Sequence, residues 1–179
     1  MMTNRGFVEV CAAENKKSEE SPTTEVTKIA CVKDWDGLDR TVEAIEVCCH
    51  CCNDESVKGL DLSGFVNLRE LRVGDECFKN AKRMNICNLE KLKWIRIGSY
   101  SFTKEKEKSY SENDGQFYLR NCPRMSELRI GYRSFSDYSV CAIEDVDALE
   151  TIEIGGMTEW SSNFWAAPLE LRTIPLCSA

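Results

Sequence analysis

One eleven-residue pattern recurs along the chain, and its spacing limits the fold more than any other property of the sequence. Leu92 to Phe102 reads L-K-W-I-R-I-G-S-Y-S-F, a template L-x-x-L-x-I-G-x-x-S-F. Leu68 to Phe78 (L-R-E-L-R-V-G-D-E-C-F) and Met125 to Phe135 (M-S-E-L-R-I-G-Y-R-S-F) repeat it. Leu149 to Gly155, L-E-T-I-E-I-G, starts it again before the pattern loosens. The leading residues are 24 apart from Leu68 to Leu92 and from Met125 to Leu149. Leu92 and Met125 are 33 apart, one period plus an insertion of 9. A fixed period of this size marks a solenoid, in which each unit buries its apolar face against its neighbours.

The residues before each template are periodic too. Leu60-x-Leu62-x-Gly64-Phe65, Met84-x-Ile86-x-Asn88-Leu89, Phe117-x-Leu119-x-Asn121-Cys122 and Cys141-x-Ile143-x-Asp145-Val146 share one form. Gly, Asn and Asp tolerate left-handed backbone. Both that column (Gly64, Asn88, Asn121, Asp145) and the column Gly74, Gly98, Gly131, Gly155 are therefore expected to be corners. Between corners, alternation points Leu71 and Val73 inward and Arg72 outward, as a strand requires. Leu71, Ile95, Leu128 and Ile152 should form one buried ladder.

These units resemble leucine-rich repeats, in particular the irregular kind with I-G-x-x-[AS]-F turns found in BspA-like proteins. They depart from the common L-x-x-L-x-L-x-x-N-x-L consensus by lacking its regular Asn, with Cys77, Ser101 and Ser134 at the neighbouring small polar position. The resemblance implies an α/β-type solenoid, mostly β, a right-handed superhelix of about 24-residue repeats with a parallel concave sheet. It also implies a non-enzymatic recognition scaffold, an expectation by analogy of fold.

The expected organisation is a flexible N-terminal arm over 1–22, a cap over 23–41 and a repeat domain over 42–179, with the insertion within 103–116. The arm is polar and mixed in charge. Val26, Ile29, Val32, Trp35 and Leu38 supply the cap, with helix and strand both open. Val42-x-x-Ile45-x-Val47 starts a degenerate repeat whose Gly, Ser and Phe slots are Cys48, Cys51 and Cys52. The insertion reads as a solvated loop or as a binding loop overhanging a rim. Past Gly155 the frame slips. Trp160, Phe164 and Trp165 read as a terminal cover, and Leu171-x-x-Ile174-x-x-Cys177 as the start of one more repeat, in a solenoid truncated or poorly capped at that end.

A net charge of −7 argues against nucleic acid or an anionic membrane as partner, since both need a basic face. No apolar run reaches the ~18 residues of a spanning helix. No signal-peptide stretch opens the sequence either. With eleven cysteines, this pattern reads as cytoplasmic, where thiols act as small buried hydrophobes. The oligomeric state is not readable from sequence.

Phosphate-loop, H-E-x-x-H and G-x-S-x-G motifs are absent, and the chain has one histidine, His50. We therefore expect no enzymatic activity and no cofactor. Cys48, Cys49, Cys51 and Cys52 contain two C-x-x-C spacings, the basis of an alternative reading as a metal-binding or redox-responsive protein. A contiguous run on extended chain points to both faces, which opposes convergence on one ion.

The outward column is the stronger lead. Glu46, Arg72, Arg96, Arg129 and Glu153 occupy one slot in successive repeats, with Ala44, Glu70, Trp94, Glu127 and Thr151 two residues before them. Strands ~4.8 Å apart would align the arginines. Either they are neutralised by Glu70 and Glu127, or they form a patch for a protein partner with an acidic surface. In the second reading Trp94 anchors, with Arg72, Arg96, Arg129 and Glu153 around it.

Overall fold

Alternating apolar and polar residues lay the chain down as two parallel sheets. The computed structural model describes residues 25–104, 114–155, 162–165 and 167–172. In chain order the elements are β1 (Val26–Ile29), α1 (Val32–Asp36), β2 (Ala44–Val47), β3 (Leu60–Asp61), β4 (Glu70–Val73) and β5 (Arg83–Cys87). There follow β6 (Trp94–Ile97), β7 (Gly115–Arg120), β8 (Glu127–Ile130), β9 (Tyr138–Glu144), β10 (Thr151–Ile154) and β11 (Leu169–Arg172). The first sheet has the order β1-β2-β4-β6-β8-β10 and the second β11-β9-β7-β5-β3. From β3 onward, successive strands alternate between the sheets. The described residues are thus mostly β, with one short helix.

The register follows the repeat. Leu71 pairs with Ile45 and Ile95, and Leu128 with Ile95 and Ile152. Leu71, Ile95 and Leu128 are fully buried, whereas Ile152 in the last strand of that sheet is half-buried. From the second sheet Leu60, Met84, Phe117 and Cys141 face the same core. At roughly 1.5–3 kcal/mol for each fully buried large apolar side chain, this two-sided column is the main source of stability.

The two corners of each unit differ from expectation. Asn88, Asn121 and Asp145 do take left-handed backbone, at φ 60°, 50° and 53°. Gly64, Gly74, Gly98 and Gly131 do not, and among the described glycines only Gly155 has positive φ, at 80°. The glycine column is required by proximity instead. A Cβ on Gly98 would lie 2.6 Å from the Gly74 carbonyl carbon, and one on Gly131 would lie 2.6 Å from that of Gly98. Left-handed backbone falls two and four residues later, at Glu76 and Phe78, Tyr100 and Phe102, Arg133 and Phe135.

Hydrogen bonds between neighbouring units hold these strained residues. Phe78 N donates to Cys51 O (3.2 Å), Phe102 N to Cys77 O (2.9 Å) and Phe135 N to Ser101 O (3.0 Å). The rings stack in series. Phe78 and Phe102 have centroids 5.2 Å apart, Phe102 and Phe135 4.6 Å, and Phe135 and Phe164 5.1 Å. Beneath them runs a polar file. Cys51 Sγ donates to Ala30 O (2.9 Å), Cys77 Sγ to Cys48 O (3.0 Å) and Ser101 Oγ to Gly74 O (2.9 Å). Ser134 Oγ donates to Gly98 O (2.6 Å) and Asn163 Nδ2 to Gly131 O (2.7 Å).

The ends of the expected repeat region shift. The cap residues hold both a strand and a helix, and β1 is itself a strand of the first sheet, in register with β2. Trp35 packs edge-on to Phe78 at 5.4 Å, reaching past the small Cys52 of the intervening unit. Both ends of the 103–116 range are tied to the repeats. Thr103 Oγ1 donates to Arg133 O (2.9 Å), and Gly115 and Gln116 belong to β7. The rest of that segment, 105–113, lies outside the described residues, as do the arm of 1–22 and Trp160. Phe164 takes the phenylalanine slot, whereas Trp165 is 78% exposed. The described part of a further half-unit starts at Leu169, which pairs with Cys141 and sets Leu171 against Ile143, while Ile174 and Cys177 lie outside the described residues.

Candidate functional site: the outward face of the first sheet

Strand alternation that buries Leu71, Ile95 and Leu128 necessarily turns their neighbours outward. Lys28, Glu46, Arg72, Arg96, Arg129 and Glu153 are cross-strand partners in one continuous file. Beside it run Glu70, Trp94, Glu127 and Thr151 in the same registers. The five residues singled out from sequence therefore share one face of four adjacent strands.

The arginines are not free. Arg96 Nε donates to Glu127 Oε1 at 2.6 Å, and Arg129 Nε lies 2.9 Å from the same oxygen. Arg129 also reaches Glu153 Oε2 at 3.2 Å, and Arg72 lies 3.9 Å from Glu46 Oε1. Lys28 stands 4.0 Å from Glu46 Oε2. Four cations thus face four carboxylates (Glu46, Glu70, Glu127 and Glu153), so the face carries alternating charge rather than a positive patch. Partial burial pushes the Glu127 carboxyl up, but its hydrogen bonds and charge contacts with Arg96 and Arg129 outweigh that and hold it below the usual range. The same hydrogen bond pushes Arg96 up.

Trp94 is half-buried between two guanidiniums. The Arg96 Cζ lies 4.8 Å from its ring centroid and that of Arg72 5.8 Å. Each such contact is worth ~0.5–1 kcal/mol at an exposed site. Together they fix the indole on a platform of paired strands, with part of its surface open. Sequence reasoning did not foresee this clamp, which depends on guanidiniums from two neighbouring strands converging on one ring.

Sequence reasoning also missed an aromatic pair on the adjoining rim. Tyr100 and Tyr132 contact edge-to-face at 5.5 Å, and Arg133 lies 5.3 Å from the Tyr132 centroid. Tyr100 is 44% exposed. Its position in the turn after β6, one unit before Arg133, was the available signal.

The cysteine run divides by depth. Cys48 and Cys49 are exposed, Cys51 is partly buried with its thiol on Ala30 O, and Cys52 is buried. Burial pushes the Cys52 thiol up to about 12. Among the described residues no three His, Cys, Asp or Glu side chains are placed to hold a metal ion.

Elsewhere a cleft of about 150 Å³ lies beside the insertion, lined by Lys79, Lys82, Asp114, Asp137 and Tyr138 among others. Its tyrosine hydroxyl donates to Ala81 O at 2.8 Å, and burial pushes its pKa well above the usual phenol value, so it keeps its proton. No helix among the described residues is long and apolar enough to cross a membrane. No family model, curated protein or solved structure matches this chain.

Proposed function

We propose that the chain is a non-enzymatic leucine-rich-repeat solenoid that binds a protein partner through the outward, concave face of its first sheet. The 24-residue register and the alternation of strands between two parallel sheets support the repeat assignment. The observation that carries the binding reading is Trp94, clamped between Arg72 and Arg96 with its ring partly open. Tryptophan and arginine on a rigid support dominate interface hot spots, because little entropy is lost when a partner covers them.

The partner presents an apolar group to Trp94 and acidic groups that compete with Glu127 for Arg96 and Arg129. Affinity capture identifies it, and titration of the purified pair tests the site. Trp94→Ala should weaken binding by ~2 kcal/mol or more. Arg96→Glu should weaken it too, and the association rate should fall at high salt. Glu127→Gln should tighten it by releasing Arg96 from its ion pair and leaving Arg129 paired with Glu153 alone. Unchanged affinity in all three variants, with melting temperatures held, would place the site off this face.

A further inference from the structure

Among the described residues, both ends of the stack present open strand edges and partly exposed apolar groups. Among the described residues no strand pairs with the outer edge of β10 or of β1. At the β10 end Ile152 and Ile154 are only half-buried, although their partners Leu128 and Ile130 are buried. Leu169 and Leu171 are 40% and 49% exposed, although their partners Cys141 and Ile143 are at 1%. At the β1 end Val32, Trp35 and Leu38 of the helical segment are partly exposed apolar groups.

The two ends also match in charge and direction. The outward file begins with Lys28 and finishes with Glu153, and a parallel neighbour must run the same way as β10. Extending the observed register by one strand sets Val26 against Thr151, Lys28 against Glu153 and Ile29 against Ile154. We infer that this chain stacks head to tail on a second copy of itself, β1 of one molecule adding to β10 of the next with Lys28 facing Glu153. Every strand added this way satisfies a row of backbone donors and acceptors that an open edge leaves to water. The contact uses different patches on the two molecules, so it does not close on itself and grows with concentration. It uses the strand edge rather than the sheet face proposed for the partner, sharing only Glu153 with that face.

Sedimentation velocity of the whole chain over a wide concentration range tests this. Species should lengthen progressively as concentration rises. Lys28→Glu and Glu153→Lys should each raise the concentration needed by about fivefold, since each replaces attraction by repulsion. An equimolar mixture of the two variants should recover assembly, because each then meets an opposite charge. Leu171→Asp should also oppose assembly without lowering the melting temperature. A monomer at all concentrations would overturn the inference and mean that the chain's own segments, such as 173–179, cover the end. A closed dimer indifferent to both charge reversals, or a mixture that fails to recover, would overturn it equally.

Discussion

Each unit turns two corners, and they solve the same problem in opposite ways. The corner after the second sheet uses one left-handed residue and assigns it to Asn88, Asn121 or Asp145, types that accept that backbone readily. The corner after the first sheet imposes it twice per unit, on residues such as Tyr100 and Phe102 that resist it. The strain, ~1–2 kcal/mol per residue, is offset there by ring stacking, by the file of small polar donors and by close approach across glycine. One corner is held by its own residue types, the other by its neighbours. A substitution at the corner after the first sheet should therefore be felt through the stack, and one at the corner after the second sheet only locally.

The widest gap between the corners should come from Phe102, stacked on both sides. Phe102→Ala should cost ~3–5 kcal/mol in denaturant unfolding. A cost near 1 kcal/mol would show that the stack is incidental. Two glycines give the next contrast. Gly98→Ala drives a methyl into the Gly74 backbone and should cost about 2–3 kcal/mol. Gly64→Ala meets only the Arg40 side chain at 3.5 Å, with φ in the ordinary range, and should change stability by less than ~1 kcal/mol.

Ser101 sharpens the comparison chemically. It accepts from Cys77 N at 3.1 Å and donates to Gly74 O, so Ser101→Ala should cost about 1–2 kcal/mol in thermal melting. Ser101→Cys should recover much of this, since Cys51 and Cys77 fill that slot elsewhere. The smallest effect belongs to the other corner. Asn88→Ala loses a tolerant residue and the bond from Asn121 Nδ2 (2.8 Å), and should cost about 1 kcal/mol. Asn88→Gly should cost less, and a result larger than for Ser101→Ala would erase the distinction.

The spacing of Leu68, Leu92, Met125 and Leu149 was enough to place the strand register and the outward file, because period and alternation translate directly into position. The role of Gly98 was not legible. Sequence shows that a side chain is missing, not whether backbone angle or proximity forbids it. Sequence reads Phe164 only as a terminal cover and Asn163 not at all, because their unit departs from the 24-residue spacing and Asn replaces Ser, so the pattern survives in space but not in spacing. The first strand, Val-Thr-Lys-Ile, lacks the glycine and phenylalanine that mark later units, Ala30 and Trp35 serving instead. On the candidate face, sequence located Trp94, Arg72, Arg96, Arg129 and Glu153 together. Which carboxylate each arginine chooses depends on side-chain geometry, and a column of letters does not contain it.

The buried thiols turn the stack into its own stopwatch. Cys77 and Cys122 are pushed up to about 11 and Cys141 to about 12 by burial, so in the closed molecule they are protonated and shielded from alkylating reagents. Cys31, Cys48 and Cys49 are exposed and should react at once. Each slow thiol sits in a different unit, and its labelling rate reads the opening of that unit alone. Fraying inward from the β11 end would label Cys141 first, then Cys122, then Cys77, whereas one all-or-none opening would label the three in step.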